Sequence, residues 1–109
     1  MKFGIRGRHI ELTAALMAHV ERRLRFAWSR FGQRIRHATV RLTDLNGRRG
    51  GVGKQCRVIM TLSPPSRKVM VGASDADLHA AIDRAADRLE RSVMRELERR
   101  RETKSTGAM

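Results

Sequence analysis

The stretch that most constrains this chain runs from Asp75 to Arg101, a 27-residue segment whose residue types are sorted by angle. Leu78, Ile82, Ala85, Leu89 and Val93 recur every three or four positions and therefore share one face of a helix. Arg84, Arg88, Arg91, Arg95 and Arg99 keep the same spacing about 120° round from that face, because each residue turns the helix by about 100°. Asp83, Asp87, Glu90 and Glu98 gather on the other flank. A helix so divided is expected to dock its apolar face on a core and turn a cationic edge outward.

The rest of the chain supplies that core. Lys2–Gly7 alternates, with Phe3 and Ile5 to one side, as a short half-buried strand does. Thr13 stands at an N-cap position before a first helix striped by Leu16, Val20, Leu24, Ala27 and Phe31, and Gly32 is its expected stop. His19, Arg22, Arg25 and Phe26 fall opposite the stripe, with Arg23 and Arg30 nearer its boundary. Alternation returns in Ile35–Leu45, with Ala38, Val40 and Leu42 inward, and in Gln55–Leu62, with Cys56, Val58, Met60 and Leu62 on one side. The glycine-rich NGRRGGVGK joins these two as a hairpin loop. A turn at Ser63–Ser66, where adjacent prolines exclude a ladder, leads to a last strand, Arg67–Ala73. Ser74 or Asp75 is the expected cap of the long helix.

The order is β-α-β-β-β-α. One four-stranded sheet with both helices on one face is the simplest α+β arrangement that buries two apolar stripes. Residues 1–101 are expected to form that single domain, and residues 102–109, which lack periodicity, a disordered tail.

Charge narrows the partner. Lys and Arg total 24 against 11 Asp and Glu, a net charge of +13 with a pI near 11.7. Such an excess favours a polyanion. Arg far outnumbers Lys, and its planar fork matches phosphate oxygens. The basic side chains singled out for RNA contact are Arg22, Arg23 and Arg25 on the first helix. On the second they are Arg84, Arg88, Arg91, Arg95 and Arg99. The plain alternative is a solvated face with weak surface pairs, but the acids occupy the opposite flank of the helix. Phe26 on a polar face suits either stacking on a base or packing under a neighbouring loop.

Other chemistries find little support. Gly53-Lys54 lacks the upstream glycine and the following Ser or Thr of a phosphate loop, since Arg48 and Gln55 stand there, and it lies between strands. The loop is a flexible hairpin or a basic finger carrying Arg48, Arg49 and Lys54. The four histidines fall on different elements without ligand spacing, so no metal or cofactor is expected. Cys56, the single cysteine, fits a core position and a reducing compartment. The charged opening residues do not make a signal peptide, and no apolar run reaches the about 20 residues of a membrane span. A cytoplasmic protein with no membrane partner, no small-molecule substrate and no catalytic residues is the expectation.

The residues also resemble a known family. Gly-Arg-His-Ile-Glu-Leu-Thr leading into the first helix, Asp77-Leu78-His79-Ala80-Ala81-Ile82-Asp83, and Asp87-Arg88-Leu89-Glu90-Arg91 are similar to the ribosome hibernation promoting factor and protein Y family, in a short form. The resemblance covers nearly the whole domain. It implies a fold like that of double-stranded RNA-binding domains and binding to small-subunit ribosomal RNA near the decoding centre. There a bound protein blocks the mRNA and tRNA sites and inhibits translation. By position it carries RNA contact onto Arg23, Arg88, Arg91 and Arg95. The chain departs from the family at Phe26, where a lysine is usual, at His79, where a tyrosine is usual, and in its longer basic loop. A structured-RNA binder acting away from the decoding centre is the alternative.

Overall fold

The computed structural model describes residues 3–45, 53–63 and 66–107, with residues 100–107 as backbone only. Strand β1 (Phe3–Arg8) is followed by helix α1 (Ala14–Phe31), a 3₁₀ turn at Gly32–Arg34, and strands β2 (Ile35–Asp44), β3 (Lys54–Leu62) and β4 (Arg67–Asp75). Helix α2 (Leu78–Gly107) is the last described element. The sheet order is β1-β2-β3-β4, with β1 parallel to β2 and the other neighbours antiparallel. The parallel step needs a crossover, and α1 provides it.

Alternation sets the two faces of the sheet. Ala38, Val40, Leu42, Cys56, Val58, Met60, Leu62, Val69 and Ala73 are buried on one face, as the strand patterns predict. Val20 and Leu24 of α1 and Ile82 and Ala86 of α2 meet Val40, Cys56 and Val58 around one small gap, so both helices cover the same face. Phe3 reaches Trp28 with ring centroids 6.1 Å apart, which ties α1 over β1. Leu89 and Val93 are fully enclosed at the centre of the α2 footprint.

Local chemistry explains the element ends. The Thr13 hydroxyl accepts the Leu16 N–H at 3.1 Å and caps α1, as its position predicts. Gly7 is needed where the chain leaves β1, because a Cβ there would stand 2.9 Å from the Ile10 carbonyl oxygen.

Three boundaries differ from expectation. Strand β4 continues to Asp75, paired with Lys54, so neither Ser74 nor Asp75 caps α2. Asp77 does so instead, accepting the His79 N–H on its carboxylate and the Ala81 N–H on its carbonyl. Asp75 shapes the preceding turn. The Asp77 N–H donated to it holds the Asp75 carboxyl below the usual range, against its partial desolvation and with Arg84 adding to the effect. At the far end, the α2 backbone runs on to Gly107 rather than stopping at Arg101, since no proline or glycine interrupts residues 102–106. Expectations for Lys2, Asn46–Val52 and the Pro64-Pro65 turn lie outside the described residues.

Candidate nucleic-acid interface

The acidic flank of α2 faces α1. Asp83 Oδ1 lies 2.8 Å from His19 Nε2 and 3.4 Å from Arg23 Nε. Arg23 Nη2 donates to Asp87 Oδ1 at 2.6 Å and to the Asp83 carbonyl at 3.3 Å. Further along, Arg30 Nη1 reaches Glu90 Oε1 at 3.1 Å. The seam between the helices is therefore closed by bases of α1 on acids of α2. His19 sits in this seam, its side chain only 17% exposed and its ring 4.8 Å from that of His79, rather than opposite the apolar stripe as expected. The correction comes from α2: a neighbouring helix covers a sector of α1 that the α1 sequence alone leaves polar.

That arrangement engages Asp83, Asp87 and Glu90 with α1 and leaves the arginine flank of α2 on the far side, over β4. Arg84 Nη1 donates to the Ser74 carbonyl at 3.0 Å and approaches Asp75 Oδ2 at 3.5 Å. Arg88 Nη1 donates to the Gly72 carbonyl. Arg88, Arg91 and Arg95 line one depression with Val71, Gly72 and Ser92. Among the described residues Arg88, Arg91, Arg95 and Arg99 form no ion pair with a carboxylate, and all four are exposed. Arg91, Arg95 and Arg99 have no hydrogen bond or ion pair among the described residues, and Arg88 has given one N–H to Gly72, so the row keeps most of its donors for phosphate oxygens.

The first-helix arginines are placed differently from one another. Arg25 pairs with Glu21 on its own helix at 3.0 Å, and Arg22 stands 3.5 Å from His19 Nδ1. Both are exposed on the side of α1 away from the sheet. Arg23 is held by two carboxylates and a carbonyl. The arginines of the two helices thus do not merge into one surface, because the acid-filled seam separates them. Phe26 borders a depression on this seam with Arg23, Ala27, Ala86, Asp87 and Glu90. Phe26 is 52% exposed, with the Arg30 guanidinium 5.1 Å from its ring centroid. The basic-finger reading of Arg48 and Arg49 lies outside the described residues, while Lys54 is occupied by Asp44 at 3.4 Å.

Arg23 consequently contributes to holding the helices together. Arg23→Gln is expected to lower stability by about 1 kcal/mol, the scale of a partly exposed ion-pair network. A lower denaturation midpoint at unchanged slope is the readout.

Other chemistries have little to work with. Cys56 is buried, and burial pushes its thiol up to about 12, the opposite of what a nucleophile needs. Asp83 and Asp87 are engaged by α1 bases and are not a free dyad. Among the described residues no cluster of three or more His, Cys, Asp or Glu is placed to hold a metal ion. Nor is any described helix long and apolar enough to cross a membrane.

Known proteins share this architecture. The N-terminal domain of Thermus thermophilus Protein Y superimposes with a TM-score of 0.70 at 34% identity, covering 84% of this chain and 93% of that one. A ribosomal subunit interface protein from Coxiella burnetii superimposes at 0.68 with 15% identity, covering 90% of this chain and 99% of that one, a likeness of fold. No curated protein matches the chain. The sequence model of the sigma 54 modulation protein / S30EA ribosomal protein family matches residues 3–101, which spans both helices and the whole sheet. The chain belongs to that family, a family of ribosome-associated factors and not of enzymes.

Proposed function

We propose that this protein is a cytoplasmic hibernation factor that binds small-subunit ribosomal RNA near the decoding region and inhibits translation by occupying the mRNA and tRNA sites. The observation that carries the reading is the unpaired arginine flank of α2, Arg88, Arg91, Arg95 and Arg99, on a chain with net charge +13. Family membership and the likeness to a Protein Y domain support ribosomal RNA as the polyanion for that flank. Arg22 and Arg25 add a second, smaller group of phosphate contacts from α1. Arg84 has less to offer, since it already holds the end of β4. Recognition proceeds through phosphate positions and shape, which suits a protein that must fit one folded RNA and not read a sequence.

The protein is expected to co-sediment with isolated small subunits at moderate salt and to be displaced by excess tRNA with mRNA. Protein remaining at the top of the gradient would sink the reading. Co-sedimentation that tRNA and mRNA do not disturb would move the site away from the decoding region and favour a more general structured-RNA binder.

A further inference from the structure

The sheet face turned away from the helices carries an arrangement the helix reading does not use. Arg6 of β1 is the register partner of Arg41 of β2, and Arg41 is the partner of Arg57 of β3. Each alternates with inward-facing neighbours, so the three side chains share the open face, on strands whose backbones lie about 4.8 Å apart. Like charges directly opposite one another across a ladder are destabilising. Among the described residues none of the three forms an ion pair; Asp44, the one carboxylate beside them, is held by Lys54. Together with Arg8, His9, Thr43, Asp44 and Gln55 they line a depression of about 670 Å³.

The row does not stop at β3. The partner of Arg57 on the edge strand β4 is Gly72, which puts no side chain in the way. Arg57 and Arg88 line a common depression across Gly72, with Gln55, Cys56, Ala73 and Ser74 between them. Gly72 and Arg88 in turn line the depression that holds Arg91 and Arg95. Three adjoining hollows therefore connect the α2 arginine flank to the outer sheet row over a low point in the edge strand.

We propose that these form one track for a single-stranded RNA backbone, running from Arg95, Arg91 and Arg88 over the saddle at Gly72 to Arg57, Arg41 and Arg6. The inference deepens the RNA reading above and rests on it. A double helix is too stiff to follow the path: with a persistence length of about 50 nm, as in DNA, a duplex does not turn round a strand edge. A flexible single strand does, and the sugar–phosphate chain meets a guanidinium on each side of the turn. The exposed Met70 and the partly covered Ile59, partners on the adjacent row, give bases or sugars an apolar surface beside the track.

The test uses a fluorescent oligouridylate 20-mer and the full chain. In the wild type, affinity falls with salt. Arg41→Gln with Arg57→Gln is expected to reduce the slope of log K against log salt by about 1.4, since each single-strand phosphate contact contributes about 0.7. The pair leaves every α2 arginine in place, and its melting temperature should hold or rise as the facing charges are removed. Gly72→Asp puts a negative charge at the low point of the track, between Arg57 and Arg88, without replacing an arginine. The new Cβ makes only an ordinary 3.6 Å contact with the Cys56 carbonyl oxygen, so the fold accommodates it. At least a fivefold loss of affinity is expected for Gly72→Asp and less than twofold for Gly72→Ala. If the sheet pair and Gly72→Asp bind as the wild type while charge reversal on α2 abolishes binding, the track is overturned and the helix reading survives. If the wild type does not bind the oligomer at all, the track is overturned, and the sedimentation experiment separately decides the ribosomal reading.

Discussion

A chain carrying Arg88→Glu, Arg91→Glu and Arg95→Glu is expected to bind the small ribosomal subunit at least about a thousandfold more weakly than the wild type. The reversal lowers the formal charge from +13 to +7. Hydrogen bonds to charged groups are worth about 1.5–3 kcal/mol each, so three lost contacts exceed about 4 kcal/mol, and each 1.4 kcal/mol is about a factor of ten. Repulsion between the new carboxylates and phosphates adds to this. The fold should survive, because Arg91 and Arg95 are exposed and unpaired, and Arg88 gives up one bond to the Gly72 carbonyl, about 1 kcal/mol. Sedimentation measures the binding, and an unchanged far-UV spectrum with a cooperative melt checks the fold. Undiminished binding by a folded triple variant would take the ribosomal surface away from α2.

The reason this flank could be recognised in advance is periodicity. A helix repeats in angle, so the sequence of α2 alone separates Leu89 from Arg88 and Asp87, and the strand alternation separates Val40 from Arg41. Burial in the structure follows both patterns. Periodicity says which face a residue takes but not what lies against it. His19 therefore read as a solvent-facing residue until α2 was placed beside it, and Arg23 read as a free cation although Asp83 and Asp87 hold it. Periodicity puts Asp83, Asp87 and Glu90 on one flank of α2, yet their partners belong to another element some 60 positions away in sequence. The row of Arg6, Arg41 and Arg57 poses the same problem in the sheet. Each is outward by alternation, but only strand register brings the three opposite one another and sets Gly72 at the end of the row. The cap of α2 was misplaced for a related reason: Asp75, a good cap by type, is claimed by its pairing with Lys54 on β3.

Leu89→Ala is expected to produce the largest loss of stability of any change considered, and it separates folding from binding. Leu89 is fully buried, sits between Arg88 and Glu90, and packs into the core formed with the inward residues of the sheet. Truncating such a leucine removes its transfer free energy and leaves a cavity, a combined cost of about 3 kcal/mol within a range of about 2–5. The sheet beneath α2 is a rigid floor, and the α1–α2 seam is fixed by Arg23 and Arg30, so α2 has little freedom to settle into the space. For a domain of this size that loss corresponds to a melting temperature lower by about 15 °C. The arginine flank keeps every charge, so the folded fraction should bind small subunits with affinity within about twofold of wild type at low temperature. As the melting range is approached, binding should fall in step with the folded population, because the arginines are aligned only while the helix is docked. Calorimetry and sedimentation at two temperatures measure the two quantities. A variant that melts like the wild type would show that α2 is held by contacts other than its apolar face, and a folded variant that fails to bind at low temperature would show that the flank depends on the exact seat of the helix.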